Sequence, residues 1–194
     1  MNINLYINYY QDKSIIRQNE LDTCIHNNIL NKHLNVIMCV QDRMMYSDFF
    51  NIINKYTSDD DINIISNLDI FFDDSIVNLK EMHSDEAFVL GRWNYTKAGI
   101  ILFNRPDSQD TWIFKGKVRK IFGDFYLGYL GCDNRIAHEI KSAGYKVSNP
   151  SKTIKATHLH ISNIRNYSYT KKDRKKFEVS GPYYTINPCE WNGR

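Results

Sequence analysis

The chain has little with which to staple itself. Its four cysteines, Cys24, Cys39, Cys132 and Cys189, are widely scattered and contain no C-x-x-C pair. That absence removes the usual zinc and dithiol spacings, and free thiols in a reducing compartment are the expectation. Met1–Tyr10 is too short and too polar for a signal h-region, and no apolar run approaches the ~20 residues of a membrane helix. A soluble, cytoplasmic protein without a membrane span is therefore expected. No block of one charge dominates either: the net charge is +3, and acids and bases are mixed through most of the chain, which leaves no nucleic-acid footprint. Alanine and glycine are scarce beside Asn, Ile, Lys and Tyr, the bias of an AT-rich genome, so Asn richness carries no functional weight. There is no internal repeat and no interdomain linker.

What is present is enough for a core. With 194 residues, 42% hydrophobic and 13% aromatic, the chain can form one globular domain spanning 1–194. Ile3–Ile7 alternates like a strand, Ser14 is placed to cap a helix to about Asn28, and Leu34–Val40 reads as a buried strand. Ile15, Ile16, Leu21, Ile25 and Ile29 suggest that helix's apolar face. Ser47 can cap a short helix to Tyr56, and Ile62–Ser66 is a third strand. Strand, helix, strand, helix, strand predicts an α/β fold with a mostly parallel central sheet flanked by helices. Later, Ala87–Trp93 and Ile100–Phe103 read as strands and Thr111–Lys115 as a short helical piece. Asp133–Ala143 reads as a helix stopped by Gly144, followed by strands at Tyr145–Val147 and Thr153–His160.

In such sheets ligands sit beyond the carboxyl ends of the strands. The rule selects Asn8–Gln11, Gln41–Arg43 and Asn67–Asp69. Asp69 is the most informative of these, because the buried run before it delivers a carboxylate where the backbone leaves the core. The same position also suits a turn carboxylate with no ligand. Asp73 and Asp74 are helix-start acids. Two imidazoles, His158 and His160, share one face of a strand.

Taken in order, NLDIFFDD, FVLGRW, SQDTWIFKG, GCDN, GYKVSNPS and THLHIS resemble the GT-A fold (Rossmann-like) nucleotide-sugar glycosyltransferases, in particular the small glycosyltransferase domains of large DNA viruses that include chlorovirus capsid enzymes. The resemblance runs from about Ile3 to Tyr167. It implies a nucleotide-binding part at about 1–75, an acceptor and catalytic part at about 76–168, and a small irregular, basic C-terminal segment at 169–194. A viral member would act in the host cytoplasm.

The resemblance also implies a chemistry. A leaving nucleoside diphosphate needs its charge neutralised, which Mn²⁺ or Mg²⁺ on a D-x-D element does. Here the triplet is Asn67-Leu68-Asp69, with Asn replacing the first acid. Asp69 is then the principal metal ligand, with His158 or His160 completing the shell. Asp133 and Asp110 are the catalytic carboxylates, Asp133 beside the acceptor and Asp110, with Gln109, near the donor sugar. Helix capping is the competing role for both acids. Asn8, Tyr9, Tyr10 and Arg43 are expected at the nucleotide of a UDP-sugar, Arg92 with Trp93 at its sugar, and Arg165 with Tyr167 at phosphate. Lys171–Lys176 is a basic run, either a solvated surface or a lid. The acceptor is a glycan or glycoprotein. Two alternatives stand: a nucleotidyltransferase acting on sugar phosphates, whose Gly-rich or basic triphosphate loop is missing at Tyr9–Ser14, and a non-catalytic carbohydrate- or nucleic-acid-binding module, which has no need of Asp69, Asp133 and His158 together.

Overall fold

The computed structural model describes residues 1–164 and 177–193. In chain order the elements are β1 (Ile3–Tyr9), α1 (Ile15–Leu30), β2 (Asn35–Val40), α2 (Tyr46–Tyr56), β3 (Ile62–Ser66), β4 (Ile70–Phe72) and a 3₁₀ helix (Asp74–Glu81). They continue with β5 (Glu86–Leu90), β6 (Trp93–Thr96), β7 (Gly99–Leu102), β8 (Thr111–Lys115), α3 (Cys132–Ser142), β9 (Lys146–Ser148) and β10 (Ala156–His158). Six strands form one sheet in the order β2-β1-β3-β8-β5-β9, and four form a second in the order β4-β10-β6-β7. The fold is α/β, with helices on both faces of the larger sheet.

That sheet is mixed, which corrects the mostly parallel expectation. β1 is parallel to β2 and β3, and β5 to β9, but β8 is antiparallel to both of its neighbours. The reason lies in the connection: between β5 and β8 the chain makes the β6–β7 hairpin and no crossover helix, so it re-enters the sheet in the opposite sense. Thr111–Lys115 is thus a strand between β3 and β5 and not a helical piece. Its five residues carry two aromatics and an isoleucine, and four of the five are buried.

The period of two sorts the core. Ile3, Leu5, Ile7, Ile62, Ile64, Phe88, Leu90 and Ile113 face one side, under α1, β4, the 3₁₀ helix and β10. Tyr6, Ile65, Ala87, Val89, Trp112 and Phe114 face the other, against α2 and α3. Two helix starts differ from expectation. α2 begins at Tyr46 after Met45, and Asp48 accepts from the Met45 N–H at 2.8 Å, so Ser47 lies inside the helix. α3 is preceded by Gly131 at φ +78°, with Asp133 inside its first turn.

Ser14 does cap α1, accepting from the Arg17 N–H, but of the five aliphatic residues expected on its inner face only Leu21 and Ile25 are buried. Ile15, Ile16 and Ile29 are exposed at 72%, 59% and 54%. Its buried face is Arg17, Gln18, Glu20, Leu21, Cys24, Ile25 and Asn28. Four of those seven are polar or charged, so α1 docks through hydrogen bonds as well as apolar burial. Asn28, for example, donates to the Ile70 carbonyl at 2.8 Å and accepts from the Phe72 N–H at 3.1 Å.

Phe114 is fully buried and edge-on to both Phe50 and Tyr145. Phe114→Ala should therefore cost about 3–5 kcal/mol, read as a lower urea midpoint with an unchanged slope. A cost below about 0.5 kcal/mol would mark a surface position and reject β8 as a central strand.

Candidate active site beyond β3 and β8

Because β8 runs antiparallel to β3, the residues just after β3 lie beside those just before β8. Ser66 pairs with Thr111, and their hydroxyls are 2.9 Å apart. The Asn67 N–H donates to the Asp110 carbonyl at 3.1 Å, and Ser66 Oγ donates to the same oxygen at 3.2 Å. On the other side of the turn, β4 pairs antiparallel with β10, which sets His158 opposite Ile70. The Leu159 N–H then donates to the Asp69 carbonyl at 3.0 Å. Asn67-Leu68-Asp69 is therefore a bridge between the two sheets, with Leu68 buried in the α1-side core.

At the Asp69 end, Asp69, His158 and His160 each offer one ligand atom, and these atoms lie within 4.8 Å of one another. His158 Nε2 is 3.1 Å from Asp69 Oδ2, and the two imidazoles meet edge to face at 5.5 Å. His160 Nε2 donates to the Ile164 carbonyl at 2.8 Å, so in the neutral ring Nδ1 carries the lone pair. Burial, followed by the charge of Arg17, pushes the His160 imidazole below its ordinary range, which favours the neutral ring. Such a set of one carboxylate and two imidazoles suits a divalent cation, and an outer hydrogen bond like that to Ile164 is what orients a ligating histidine.

The sequence reading missed Arg17 and Glu20. Arg17 Nη2 donates to Asp69 Oδ2, while Nη1 donates to Glu20 Oε2 at 2.8 Å and to the Leu159 carbonyl at 3.0 Å. Glu20 is fixed in turn by the Ser162 N–H at 2.6 Å and the Ser162 hydroxyl at 2.8 Å. Burial alone would raise the Asp69 carboxyl. The hydrogen bonds and charges of His158 and Arg17 outweigh it and hold Asp69 well below the usual carboxylate range. Burial, followed by the Asp69 charge, raises the Tyr10 phenol.

At the Asn67 end lies a pair of carboxylates. Asn67 Nδ2 donates to Asp110 Oδ1 at 2.7 Å, and Arg92 Nη1 donates to Asp110 Oδ2 at 2.8 Å. Asp133 Oδ2 accepts from the Gln109 N–H at 3.3 Å and its Oδ1 from the Asn134 N–H at 3.0 Å. Burial, with Asp110 as a neighbouring negative charge, pushes the Asp133 carboxyl up to about 6. Neither acid is a simple helix cap: the residue after Asp110 begins a strand, and Gly131 precedes α3.

The remaining candidates divide. Arg92 lies over the Phe103 ring at 4.5 Å, and Trp93 Nε1 donates to the Ser151 carbonyl at 2.7 Å. Gln109 is 2% exposed and its amide donates to the Pro106 carbonyl at 2.8 Å. Asn8 is engaged with its own surroundings, donating to the Cys39 and Gln41 carbonyls and accepting from the Met44 N–H. Tyr9 packs against the α1-side core, whereas Tyr10 is 43% exposed. Arg43 lies 5.1 Å from the centre of the Tyr129 ring. Arg165, Tyr167 and Lys171–Lys176 lie outside the described residues. All four cysteines are free. Among the described residues no helix is long and apolar enough to cross a membrane. Clefts of about 290 and 580 Å³ open elsewhere, the larger beside Asp59, Asp60 and Gly116 at the opposite end of β3 and β8. Comparison with protein-family models and with curated proteins finds no match for the chain.

Two outcomes follow from this geometry. A carboxyl raised from 3.8 to about 6 favours the folded state while protonated and opposes it once ionised. Its cost is absent below the unfolded value and complete above the folded one. Asp133→Asn should therefore be more stable than the wild type above pH 6, by up to about 3 kcal/mol. The advantage should fade as pH falls from 6 to 3.8 in urea titrations, and a pH-independent difference would count against the raised carboxyl. In the same way, Asn67→Asp would set a carboxylate against Asp110 in place of an amide donor. It should lose about 1–3 kcal/mol at neutral pH and recover part of it in acid. Unchanged stability at neutral pH would show that the amide bond to Asp110 is dispensable.

Proposed function

We propose that the protein is a metal-dependent glycosyltransferase of GT-A type that moves a hexose or deoxyhexose from a UDP-sugar to a hydroxyl of a glycan or glycoprotein. The observation that carries this reading is the Asn67-Leu68-Asp69 bridge. It couples a group suited to a divalent cation, at Asp69, to a pair of carboxylates suited to sugar chemistry, at Asp110 and Asp133. Two stations, one for a diphosphate and one for a reacting sugar, are what glycosyl transfer needs side by side.

Asp69, His158 and His160 would hold Mn²⁺ or Mg²⁺, which when bound offsets the charge that builds on a departing diphosphate. Asp69 stays ionised across the working pH range because His158 and Arg17 hold its carboxyl low. Arg92 and Asn67 fix the Asp110 carboxylate, whose remaining lone pairs would accept from sugar hydroxyls. Asp133 is matched to proton transfer: at neutral pH a carboxyl at about 6 is mostly ionised yet more basic than an ordinary aspartate. It can accept the acceptor hydroxyl's proton as the new C–O bond forms and the bond to the diphosphate breaks. Tyr10, exposed beside the Asp69 group, offers a ring for the base.

Thermal-shift measurements with UDP, with and without Mn²⁺, test the reading. UDP should raise Tm only when Mn²⁺ is present, and Asp69→Asn should abolish that rise while keeping the side chain's shape. No response to any nucleoside diphosphate, with or without metal, would overturn the proposal.

A further inference from the structure

The cation group at Asp69 already contains a cation. Arg17 is 5% exposed, and its guanidinium donates to Asp69 Oδ2, the same oxygen that faces His158 Nε2. Burial opposes its charge, yet Asp69 and Glu20 outweigh that and raise its already high pKa, so it stays ionised. A divalent ion bound through Asp69 Oδ2 would be set directly against a fixed positive charge in a partly desolvated site, where such repulsion is weakly screened. A carboxylate oxygen has about two lone-pair sites, and on Oδ2 these already face Arg17 Nη2 and His158 Nε2.

Arg17 is also built to let go of one partner without losing all of them. Its Nη1 is held separately by Glu20 and by the Leu159 carbonyl, and Glu20 is itself anchored by two hydrogen bonds from Ser162. Withdrawal from Asp69 would therefore leave the guanidinium charge-paired inside the fold. The planar fork of arginine suits this division, one nitrogen for the permanent anchors and one for the exchangeable partner.

We propose that Arg17 is a built-in competitor for the divalent cation at Asp69, so that metal enters only by displacing the Arg17 Nη2 contact while the Glu20 contact persists. It rests on the reading of Asp69, His158 and His160 as a cation site. The freed Nη2 would then be open to an anion that accompanies the metal, which makes metal binding weak in the empty enzyme and stronger with a diphosphate.

The experiment is calorimetric titration of Mn²⁺ alone into wild type, Arg17→Gln and Asp69→Asn. Arg17→Gln should bind Mn²⁺ on the order of tenfold or more tightly than wild type, and Asp69→Asn should lose binding. Equal or weaker binding by Arg17→Gln, with Asp69→Asn still abolishing it, overturns the competition and leaves the cation site standing. No Mn²⁺ binding by either wild type or Arg17→Gln overturns the cation site, and the competition with it. Should Arg17→Gln fail to fold, Mg²⁺ titration of the wild type followed on arginine side-chain Nε–H signals decides the matter. The Arg17 signal should move with the same apparent affinity as Mg²⁺ binding, and saturation with no movement overturns the proposal.

Discussion

The ionised carboxylate of Asp69 is the point on which three parts of the molecule meet. Arg17 comes from α1, His158 from the end of β10, and Asp69 from the turn between the two sheets. Neutralising or removing that charge would leave Arg17 buried beside Glu20 alone. Removing Arg17 would leave two carboxylates facing one another's field. Such buried ionic groups are weak sources of net stability but strong penalties when broken. Here they also help fix the orientation of α1, together with Asn28, which bonds the Ile70 carbonyl and the Phe72 N–H. The site and the docking of α1 are thus one electrostatic arrangement.

The mixed sheet matters for the same reason. Had β8 run parallel to β3, its first residues would lie at the other end of the sheet, far from Asn67. Antiparallel entry brings Asp110 to the end of β3, where its backbone carbonyl takes the Asn67 N–H and its carboxylate takes the Asn67 amide. A departure from the regular α/β pattern therefore builds the second half of the site. The hairpin that forces the departure also supplies β6, which pairs with β10 beside His158.

Much of this was legible in the sequence. Alternation marked β1 and apolar runs marked β2 and β3, although β2, read as buried, is a half-exposed edge strand, and the buried run closed by Asp69 singled out that carboxylate before any partner was known. His158 and His160 were paired by strand periodicity, and their common side is seen even though β10 ends at His158. Two things were not legible. Thr111–Lys115 is five residues long, a length at which an apolar run has no decisive period. Arg17 and Glu20 at i and i+3 look like a solvated ion pair, and the isoleucines around them look like the inner face. Only tertiary contact turns Arg17 and Glu20 inward beside Leu21 and Ile25, because the demand comes from Asp69, 52 residues further on.

The two ends of the Asn67–Asp69 turn are tuned in opposite senses. Asp69 is surrounded by donors and positive charge, which hold its carboxyl low, whereas Asp133 is buried beside another acid, which lifts its carboxyl to about 6. Carboxyl groups pushed apart in this way are suited to different tasks, one to carry a permanent charge and the other to exchange a proton. Asn67 lets them coexist. As an amide it gives Asp110 a hydrogen bond without adding charge, whereas an acid there would raise every carboxyl around it. The negative charge that an acid would bring at position 67 is thus already supplied by Asp110, held one hydrogen bond away.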